Sequence, residues 1–357
     1  MFDKITLIIP THNRHHYLTR ILEYYSDINL RILVADSSQN EYTFKDKYQI
    51  DYFHYPNYMP QNKLADIIQK VKTPYVFMCA DDDFIIPKSI EKCVKFLDNN
   101  SDYSSVQGIY FRFIYGKKKT MFSLMYTSKI NYDLNENSVE KRLKRCMKNY
   151  MQMVYCVNRT ENLKDFFNLP SIDDLTMVEI AICLISVING KHKTLPIPYG
   201  AREVIKGSAG NTTKRLYQKF KDQEKIDTFN KFIDILSYYY SKKSDISIEK
   251  AKKFVQNVIE LKIREEIKKK KRMEKQVQKI SYPIKKFYNI FINLFLLHQK
   301  IKDISLGFYN FILSIRFFNI VFNKKYYFNF ENPNSKYFDD FAQIRRYISL
   351  YSIYTNS

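Results

Sequence analysis

The sequence predicts an α/β fold, a doubly wound sheet flanked by helices, followed by a basic all-α C-terminal region. Over residues 1–200, short apolar runs alternate with segments of helical periodicity, as in a doubly wound sheet. One of these runs ends in three consecutive aspartates. Residues 1–210 carry 28 Lys and Arg against 23 Asp and Glu, whereas residues 211–357 carry 30 against 14. The chain therefore has a nearly balanced front part and a strongly basic back part.

The elements of the front part follow one another in the order that such a sheet requires. Apolar or β-branched runs predict strands at 5–9, 30–35, 50–55, 75–79, 105–115, 153–157 and 192–197. Apolar residues three and four positions apart predict helices at 13–25, 62–71, 87–99, 136–149 and 175–189. Pro10 is expected to end the first strand, Thr11 or Asn13 to cap the first helix, and Gly190 to end the last one. Gly200, Gly207 and Gly210 lie so close together that they predict a mobile loop, which would carry Arg202.

Asp81, Asp82 and Asp83 come directly after the predicted strand 75–79. Adjacent carboxylates repel one another, so a positive partner is expected among them. A hard divalent cation such as Mg²⁺ or Mn²⁺ prefers oxygen ligands of this kind and often shares them with phosphates. In open α/β sheets, ligands bind at the carboxyl ends of strands, which is where this cluster falls. The alternative is a solvated acidic turn ahead of the helix that starts at Pro87.

Four motifs, taken together, resemble the inverting, family 2-type glycosyltransferases of the GT-A fold. They are the run Leu7–Arg14, Asp36 after the second strand, the run Tyr75–Phe84, and the pair Asp173–Asp174 ahead of the helix that ends at Gly190. The resemblance covers about residues 1–210 and ends beyond residue 215. It implies a GT-A-like mixed sheet in a domain of residues 1–212. Residues 213–357 would then form a basic helical appendage that contacts a membrane interface or the acceptor.

The resemblance also implies a function, the metal-dependent and inverting transfer of a sugar from a nucleotide-sugar donor to an acceptor in surface-glycan biosynthesis. The acceptor would be a growing capsule, lipopolysaccharide or glycoprotein glycan. The implied donor-binding residues are Pro10, Thr11, Asn13, Asp36, Asp81 and Asp82. Arg14 and Arg202 are expected to join them as donors to the diphosphate, because guanidinium groups bind phosphate oxygens in pairs. The alternative for Arg14 is an ordinary arginine at a helix start. Asp83 and Asp81 would bind Mn²⁺ or Mg²⁺. The chain has no Trp and so lacks the Gln-x-x-Arg-Trp signature of processive members, which favours a non-processive enzyme.

The implied catalytic base is Asp174, with Asp173 beside it, because an inverting reaction needs one carboxylate to take the proton of the acceptor hydroxyl. The alternative is that both carboxylates only cap the following helix. Glu179, further along that helix, is a second candidate base. His15 and His16 are expected to be exposed, since no carboxylate spacing around them indicates a metal site.

The cysteines, the N-terminus and the basic back part indicate where in the cell the protein acts. The five cysteines show neither metal-ligand spacing nor an even count, and no signal peptide precedes the first strand, which favours reduced thiols and a cytoplasmic location. The basic run 268–272 and the aromatic segments 287–297 and 304–322 are typical of a helix lying on the inner face of a membrane, or of an ordinary helical subdomain.

Two other function classes are a nucleotidyltransferase, which usually needs a glycine-rich loop that is missing here, and a nucleic-acid-binding protein, for which the back part shows no recognition motif. Nucleic acid is therefore not an expected partner.

Overall fold

A mixed sheet of nine strands forms the centre of the computed structural model, which describes residues 1–115, 120–125, 132–204, 216, 218, 225–295 and 333–351. The strands are β1 Ile5–Thr11, β2 Arg31–Asp36, β3 Asp51–His54, β4 Tyr75–Met78, β5 Phe84–Ile85, β6 Tyr103–Tyr115, β7 Thr120–Leu124, β8 Val157–Arg159 and β9 Lys191–Glu203. Their order in the sheet is β3-β2-β1-β4-β8-β6-β9-β5, and β7 pairs with β6. Strands β1 to β4 are mutually parallel, β8 is antiparallel to both of its neighbours, and β6 is parallel to β9. The predicted mixed α/β sheet is confirmed.

Helices cover both faces of this sheet. They are α1 His15–Tyr25, α2 Pro60–Gln69, α3 Pro87–Asp98, α4 Val139–Lys148, α5 Thr160–Phe167, α6 Leu175–Asn189, α7 Ile226–Ser244, α8 Ile248–Phe295 and α9 Phe338–Tyr351. Successive side chains of a strand point to opposite faces, so Leu7 and Ile9 join one apolar cluster and Ile8 joins the other. The first cluster lies under α1, α3 and α9, and the second lies under α2 and α4 to α8.

The described helices of the basic back part pack on the front part. Phe232 and Leu236 of α7 and Ile259 of α8 belong to the same apolar cluster as the buried face of α6. Phe341 of α9 is fully buried against Phe111 of the sheet, at 5.2 Å between ring centroids. The division of the chain into a domain of residues 1–212 and an appendage of residues 213–357 stays a prediction. None of the described helices is both long and apolar enough to cross a membrane.

Several predicted boundaries differ from the structure, each for a tertiary reason. Strand β1 continues through Pro10 to Thr11, because its parallel pairing with β2 extends to Thr11, whereas its pairing with β4 ends at Ile8. Residues 153–156 form a partly buried turn, and only Val157 and the two residues after it pair as a strand. Gly200 and Arg202 belong to β9 rather than to a loop, while Gly207, Gly210 and the segment 304–322 lie outside the described residues.

Of the two predicted helix caps, the C-cap at Gly190 is confirmed and the N-cap needs correction. Arg14, not Thr11 or Asn13, is the N-cap residue of α1, and Asn13 adopts a left-handed φ of 54°. Helix α6 does end at Gly190, but this residue is extended, with φ of −179°, rather than left-handed. Its requirement is space, because a Cβ there would lie 2.8 Å from the backbone nitrogen of Ser104.

Candidate active site

The site is built where the parallel strands β1, β2 and β4 end side by side. Thr11 is the last residue of β1, Asp36 is the last residue of β2, and Asp81 comes three residues after the end of β4. The Thr11 hydroxyl donates to Oδ2 of Asp81 at 2.6 Å, and both side chains are buried. Parallel pairing of Thr11 with Asp36 sets these two residues side by side. Three of the predicted donor residues therefore meet at one edge of the sheet.

Asp36 is fully buried and held by three donors. Its Oδ1 accepts from the backbone N–H of Ser38 at 2.7 Å, and its Oδ2 accepts from the Tyr52 hydroxyl at 2.7 Å. Nε2 of His15 also lies 2.7 Å from Oδ2. Burial opposes the charged form, but the hydrogen bonds from Ser38, Tyr52 and His15 outweigh it and lower the pKa of Asp36. The carboxylate is thus kept ionised and fixed in orientation.

Lys63 of α2 is a buried cation beneath the same strand ends. Its Nζ donates to the backbone carbonyl of Thr11 at 2.6 Å and to Oγ of Ser37 at 2.9 Å. Burial lowers the pKa of Lys63 to about 8, against the attraction of Asp36 and Asp81. The ammonium group therefore ties helix α2 to the ends of β1 and β2.

Arg14 connects the first turn to the acidic cluster. Its Nη1 donates to Oδ2 of Asp82 at 2.9 Å, and its Nη2 lies 2.5 Å from Oδ1 of Asp81. The second contact is an ion pair without hydrogen-bond geometry, since no described group donates a hydrogen bond to this oxygen. Asn13 forms the turn before Arg14 and donates its backbone N–H to Oγ of Ser38 at 2.7 Å. Burial raises the pKa of Asp81 to about 7, although Arg14 and Thr11 act in the opposite direction.

Asp83 faces the end of β9. Its Oδ2 accepts from Nε of Arg202 at 3.1 Å, and its Oδ1 accepts from the backbone N–H of Glu203 at 2.8 Å. Burial raises the pKa of Asp83 to about 6, and the Arg202 guanidinium opposes this shift. Arg202 also donates to Oε1 of Gln152 and lies 4.9 Å from the ring centroid of Tyr155.

Arg20 of α1 joins the acidic cluster, Asp81–Asp83, to the end of β9. Its Nη2 donates to the backbone carbonyl of Asp82 and to Oε2 of Glu203, each at 2.7 Å. The guanidinium is almost fully buried and lies over the rings of Tyr17 and Phe84, at 4.7 Å and 5.0 Å. The acidic cluster therefore contacts two arginines. Arg14 lies in the turn after β1, and Arg20 lies within α1.

The oxygen-rich set of Asp81, Asp82 and Asp83 fits a hard divalent cation chemically. Among the described residues, no three His, Cys, Asp or Glu side chains are arranged as a group that could hold a metal ion. A cation bound here would take its remaining ligands from water and diphosphate oxygens, as Mg²⁺ commonly does. Asp83 would first have to exchange the Arg202 guanidinium for that cation, because Arg202 now occupies its Oδ2.

Asp174 is the N-cap residue of α6, and its Oδ1 accepts from the backbone N–H of Met177 at 3.1 Å. The segment before it is anchored to α2, because the backbone N–H of Ile172 donates to Oε1 of Gln61 at 2.6 Å. Asp173 is exposed, while Asp174 is half-buried. Asp174 therefore caps α6, and whether it also acts as the base stays a prediction. The other candidate base, Glu179, lies within α6 and is half-buried.

Several residues of the site were not found from the sequence. They are His15, Arg20, Tyr52, Lys63, Gln152, Tyr155 and Glu203. His16 is exposed as expected, but the prediction for His15 is wrong, because this imidazole is half-buried and contacts Asp36. Its position one residue after the motif that ends at Arg14 was the only available signal. The cysteines are all free and buried, as predicted.

Residues 6–159 match the model of glycosyl transferase family 2. No curated protein matches the sequence. Among solved structures, S. aureus TarS 1-349 in complex with UDP-GlcNAc is 12% identical, with a TM-score of 0.45 over 73% of this chain and 89% of that chain. The same protein in complex with UDP is 13% identical, with a TM-score of 0.40 over 73% of this chain and 88% of that chain. The family match places residues 6–159, which contain β1 to β4 and the acidic cluster, in a glycosyltransferase domain of family 2.

Proposed function

We propose that the protein transfers a sugar from a nucleotide-sugar donor to a hydroxyl group of a glycan acceptor, with inversion at the anomeric carbon and without processivity. The observation that carries this proposal is the meeting of Thr11, Asp36, Asp81 and Arg14 at the carboxyl ends of β1, β2 and β4. This edge of an α/β sheet is where nucleotides bind. It presents the ionised carboxylate of Asp36 for ribose hydroxyls and guanidinium groups for a diphosphate.

The proposed donor site divides between two groups of residues. Pro10, Thr11, Asn13 and Asp36 would line the pocket for the base and ribose, together with Asp81 and Asp82. Arg14 and Arg202 would donate to the diphosphate, because guanidinium groups bind phosphate oxygens in pairs. Asp83, with Asp81 behind it, would hold Mn²⁺ or Mg²⁺, and when bound this cation would neutralise charge on the departing diphosphate.

Asp174 is the proposed base. It would accept the proton of the acceptor hydroxyl as that oxygen attacks the anomeric carbon from the side opposite the diphosphate. The N-cap hydrogen bond from Met177 to Oδ1 would fix the carboxylate in position for this step. Asp173, its exposed neighbour, would assist at the acceptor side. Such a reaction leaves one new glycosidic bond and a nucleoside diphosphate.

The acceptor is proposed to be a surface glycan or its lipid-linked precursor, reached from the cytoplasmic face of the membrane. Helix α8 carries the run Lys268–Arg272, whose side chains are all exposed. Clustered Lys and Arg side chains are attracted to anionic lipid head groups. Peripheral contact through this run would bring the enzyme to its acceptor.

Calorimetric titration with UDP, GDP and CDP, each with and without Mn²⁺, tests the donor site. We expect one nucleotide to bind, more tightly with Mn²⁺ than without it. Asp83→Asn keeps the shape of the side chain and removes its charge, so it should abolish the gain from Mn²⁺. Asp51→Asn is the matched control, because Asp51 is an exposed aspartate on β3, the edge strand that pairs only with β2.

Two results would count against the proposal. If the wild-type protein bound none of the nucleotides, the donor site would be wrong. If Asp83→Asn and Asp51→Asn lost the Mn²⁺ effect equally, Asp83 would not be the metal ligand. Asp174→Asn should bind the nucleotide like the wild type but transfer sugar at least 100-fold more slowly, because general base catalysis contributes about 10²–10⁴-fold.

A further inference from the structure

A small closed cleft lies next to Asp83, and neither Thr11 nor Asp36 lines it. It is lined by Tyr110, Gln152, Val154, Tyr155 and Arg202. The Arg202 side chain spans the distance between the acidic cluster and this cleft, since its Nε binds Asp83 and its Nη1 binds Gln152. The lining side chains leave no room for a water molecule. Arg202 therefore has to turn away from Gln152 before anything enters.

The Tyr110 hydroxyl has no hydrogen-bond partner in the described part of the chain, although the residue is only 4% exposed. Burying a hydroxyl without a partner is costly, so such a group needs an explanation. The ring is held in place by an edge contact with Tyr199 at 5.3 Å and by Gly200. A Cβ at Gly200 would lie 3.0 Å from Cε1 of Tyr110. Tyr110 is therefore fixed in the cleft wall, and none of the described residues pairs with its hydroxyl.

We propose that this cleft binds the transferred sugar of the donor, with the Tyr110 hydroxyl and the Gln152 amide hydrogen-bonded to substituents of the sugar ring. The inference rests on the proposed function. In a nucleotide sugar, the sugar is attached directly to the diphosphate, and Arg202, the proposed diphosphate ligand, forms one wall of the cleft. A sugar ring offers hydroxyl groups for Tyr110 and Gln152, and it offers an apolar C–H face for the Tyr155 ring.

Donor binding would change the hydrogen-bond partners of Arg202, Gln152 and Tyr110 in one event. When the diphosphate takes the guanidinium of Arg202, the Gln152 side chain loses its present partner and becomes able to bind the sugar. The Tyr110 hydroxyl gains a partner in the same step. Tyr110 and Gln152 are thus specificity residues, because a sugar without a matching substituent would leave both groups unpaired.

Tyr110→Phe and Gln152→Leu test the proposal by calorimetry on the full-length protein. The probes are UDP, UDP-glucose and UDP-N-acetylglucosamine, or GDP and GDP-mannose if guanine is the base that binds. We expect Tyr110→Phe to keep the affinity for the nucleoside diphosphate within about twofold of wild type, because the Tyr110 hydroxyl makes no described hydrogen bond to Arg202. Gln152→Leu removes a partner of Arg202, so its affinity for the nucleotide sugar is compared with its own affinity for the nucleoside diphosphate. The affinity for the nucleotide sugar should fall about fivefold, as expected for loss of one hydrogen bond.

Tyr24→Phe is the matched control. Tyr24 is 1% exposed, and its hydroxyl also has no partner among the described residues, but it packs against Phe84 and Tyr347 and does not line the cleft. Both tyrosine variants remove a buried unpaired hydroxyl, so both should raise the melting temperature. Only Tyr110→Phe should weaken binding of the nucleotide sugar.

The proposal is overturned if Tyr110→Phe and Gln152→Leu change nucleotide and nucleotide-sugar affinity equally, or change neither. A crystal structure with the bound donor decides the same point directly. A sugar atom within hydrogen-bond distance of the Tyr110 hydroxyl supports the proposal, and a sugar placed elsewhere overturns it. If the wild-type protein binds no nucleotide at all, both this inference and the proposed function fail, which distinguishes that result from failure of the cleft alone.

Discussion

Arg20 contacts both the acidic cluster and the end of β9. Its guanidinium binds the carbonyl of Asp82 and the carboxylate of Glu203, and both charged side chains are nearly buried. A buried ion pair of this kind adds little net stability, but removing one partner leaves the other charge without compensation. Burial already raises the pKa of Glu203, in spite of Arg20. The pair therefore fixes the position of Arg202, the neighbour of Glu203 in β9.

We expect Arg20→Met to lower the free energy of unfolding by about 3–5 kcal/mol, because Glu203 is left buried and unpaired. Urea denaturation measures the change. Arg31→Met is the control, since Arg31 pairs with Asp51 at an exposed site and should have little effect. The double variant Arg20→Met/Glu203→Gln should recover part of the loss. A loss as large in the double variant as in Arg20→Met would contradict the assignment to the unpaired carboxylate.

Lys63 gives a prediction for the dependence of stability on pH. Its pKa is lowered to about 8 in the folded protein, below that of a lysine in the unfolded chain. Between these two values the unfolded state binds more protons, so stability rises with pH in this window. Compared with Lys63→Met, the wild type should gain on the order of 3 kcal/mol in free energy of unfolding between pH 7 and pH 10.5. Thermal or urea unfolding of both proteins at several pH values measures the difference, and parallel curves would show that the pKa of Lys63 is not lowered.

Among individual residues, the sequence alone identified those site residues that lie at the ends of strands. Thr11, Asp36 and Asp81 each follow an apolar run, and parallel strands bring such positions together. Arg20 and Glu203 are 183 positions apart, and no local pattern joins them. Lys63 looks in the sequence like any polar helix residue, and only the fold shows that it is buried below Thr11.

Among the elements, the pairing of β6 with β9 is the longest, and it contains register shifts on both sides of Ile109. Gly108 lies at this irregularity. A Cβ there would be 2.6 Å from the backbone oxygen of Ile197 and 2.8 Å from Cβ of Tyr199. Neither atom can move without moving β9. The close approach of the two strands therefore requires glycine.

We expect Gly108→Ala to lower the free energy of unfolding by at least about 1–3 kcal/mol, the usual cost of an overpacked site. Gly200→Ala is the comparison, because the atom nearest to its Cβ is the flexible end of Ile85, at 2.7 Å. Its loss should be smaller. Equal losses in denaturation experiments would mean that β9 shifts as easily at Gly108 as the Ile85 side chain does at Gly200.

Sequence patterns located most strands and helices of the front part because their apolar periodicity is local. They failed where pairing partners decide the boundary. Strand β9 continues through Gly200 to Glu203 because β6 and β5 lie on either side of it, and glycines in the sequence indicated a loop there instead. Residues 153–156 are apolar because they pack in or against the core, although they do not pair as a strand.

For the molecule as a whole, α9 returns to the front part and covers α1. Phe341 has no exposed surface and contacts the rings of Phe111 and Phe122, at 5.2 Å and 5.0 Å. Phe341→Ala should lower the free energy of unfolding by about 3–5 kcal/mol, as for other large buried side chains. Leu350→Ala on the same helix is the control, because Leu350 is 55% exposed. If Phe341→Ala were as mild as Leu350→Ala, α9 would not be part of the folded core.

The excess positive charge of the back part leads to the last prediction, which concerns membrane contact. The side chains of Lys268–Arg272 are exposed on α8, with Glu265 the described acidic partner of Lys268. Each basic side chain near an anionic surface contributes about 1 kcal/mol, so replacing Lys268, Lys269, Lys271 and Arg272 by Gln should weaken binding to phosphatidylserine vesicles at least tenfold. A sedimentation assay measures this, with phosphatidylcholine vesicles as the uncharged surface.

The matched control replaces Lys242, Lys250, Lys252 and Lys253, four exposed lysines at the other end of the same helical region. It removes the same charge but leaves the run Lys268–Arg272 intact. Binding that depends on position should be lost only in the first variant, whereas binding that depends on net charge alone should fall equally in both. The second result would contradict docking through α8, because a general attraction to anions does not orient the sheet edge at Asp83 toward a lipid-linked acceptor.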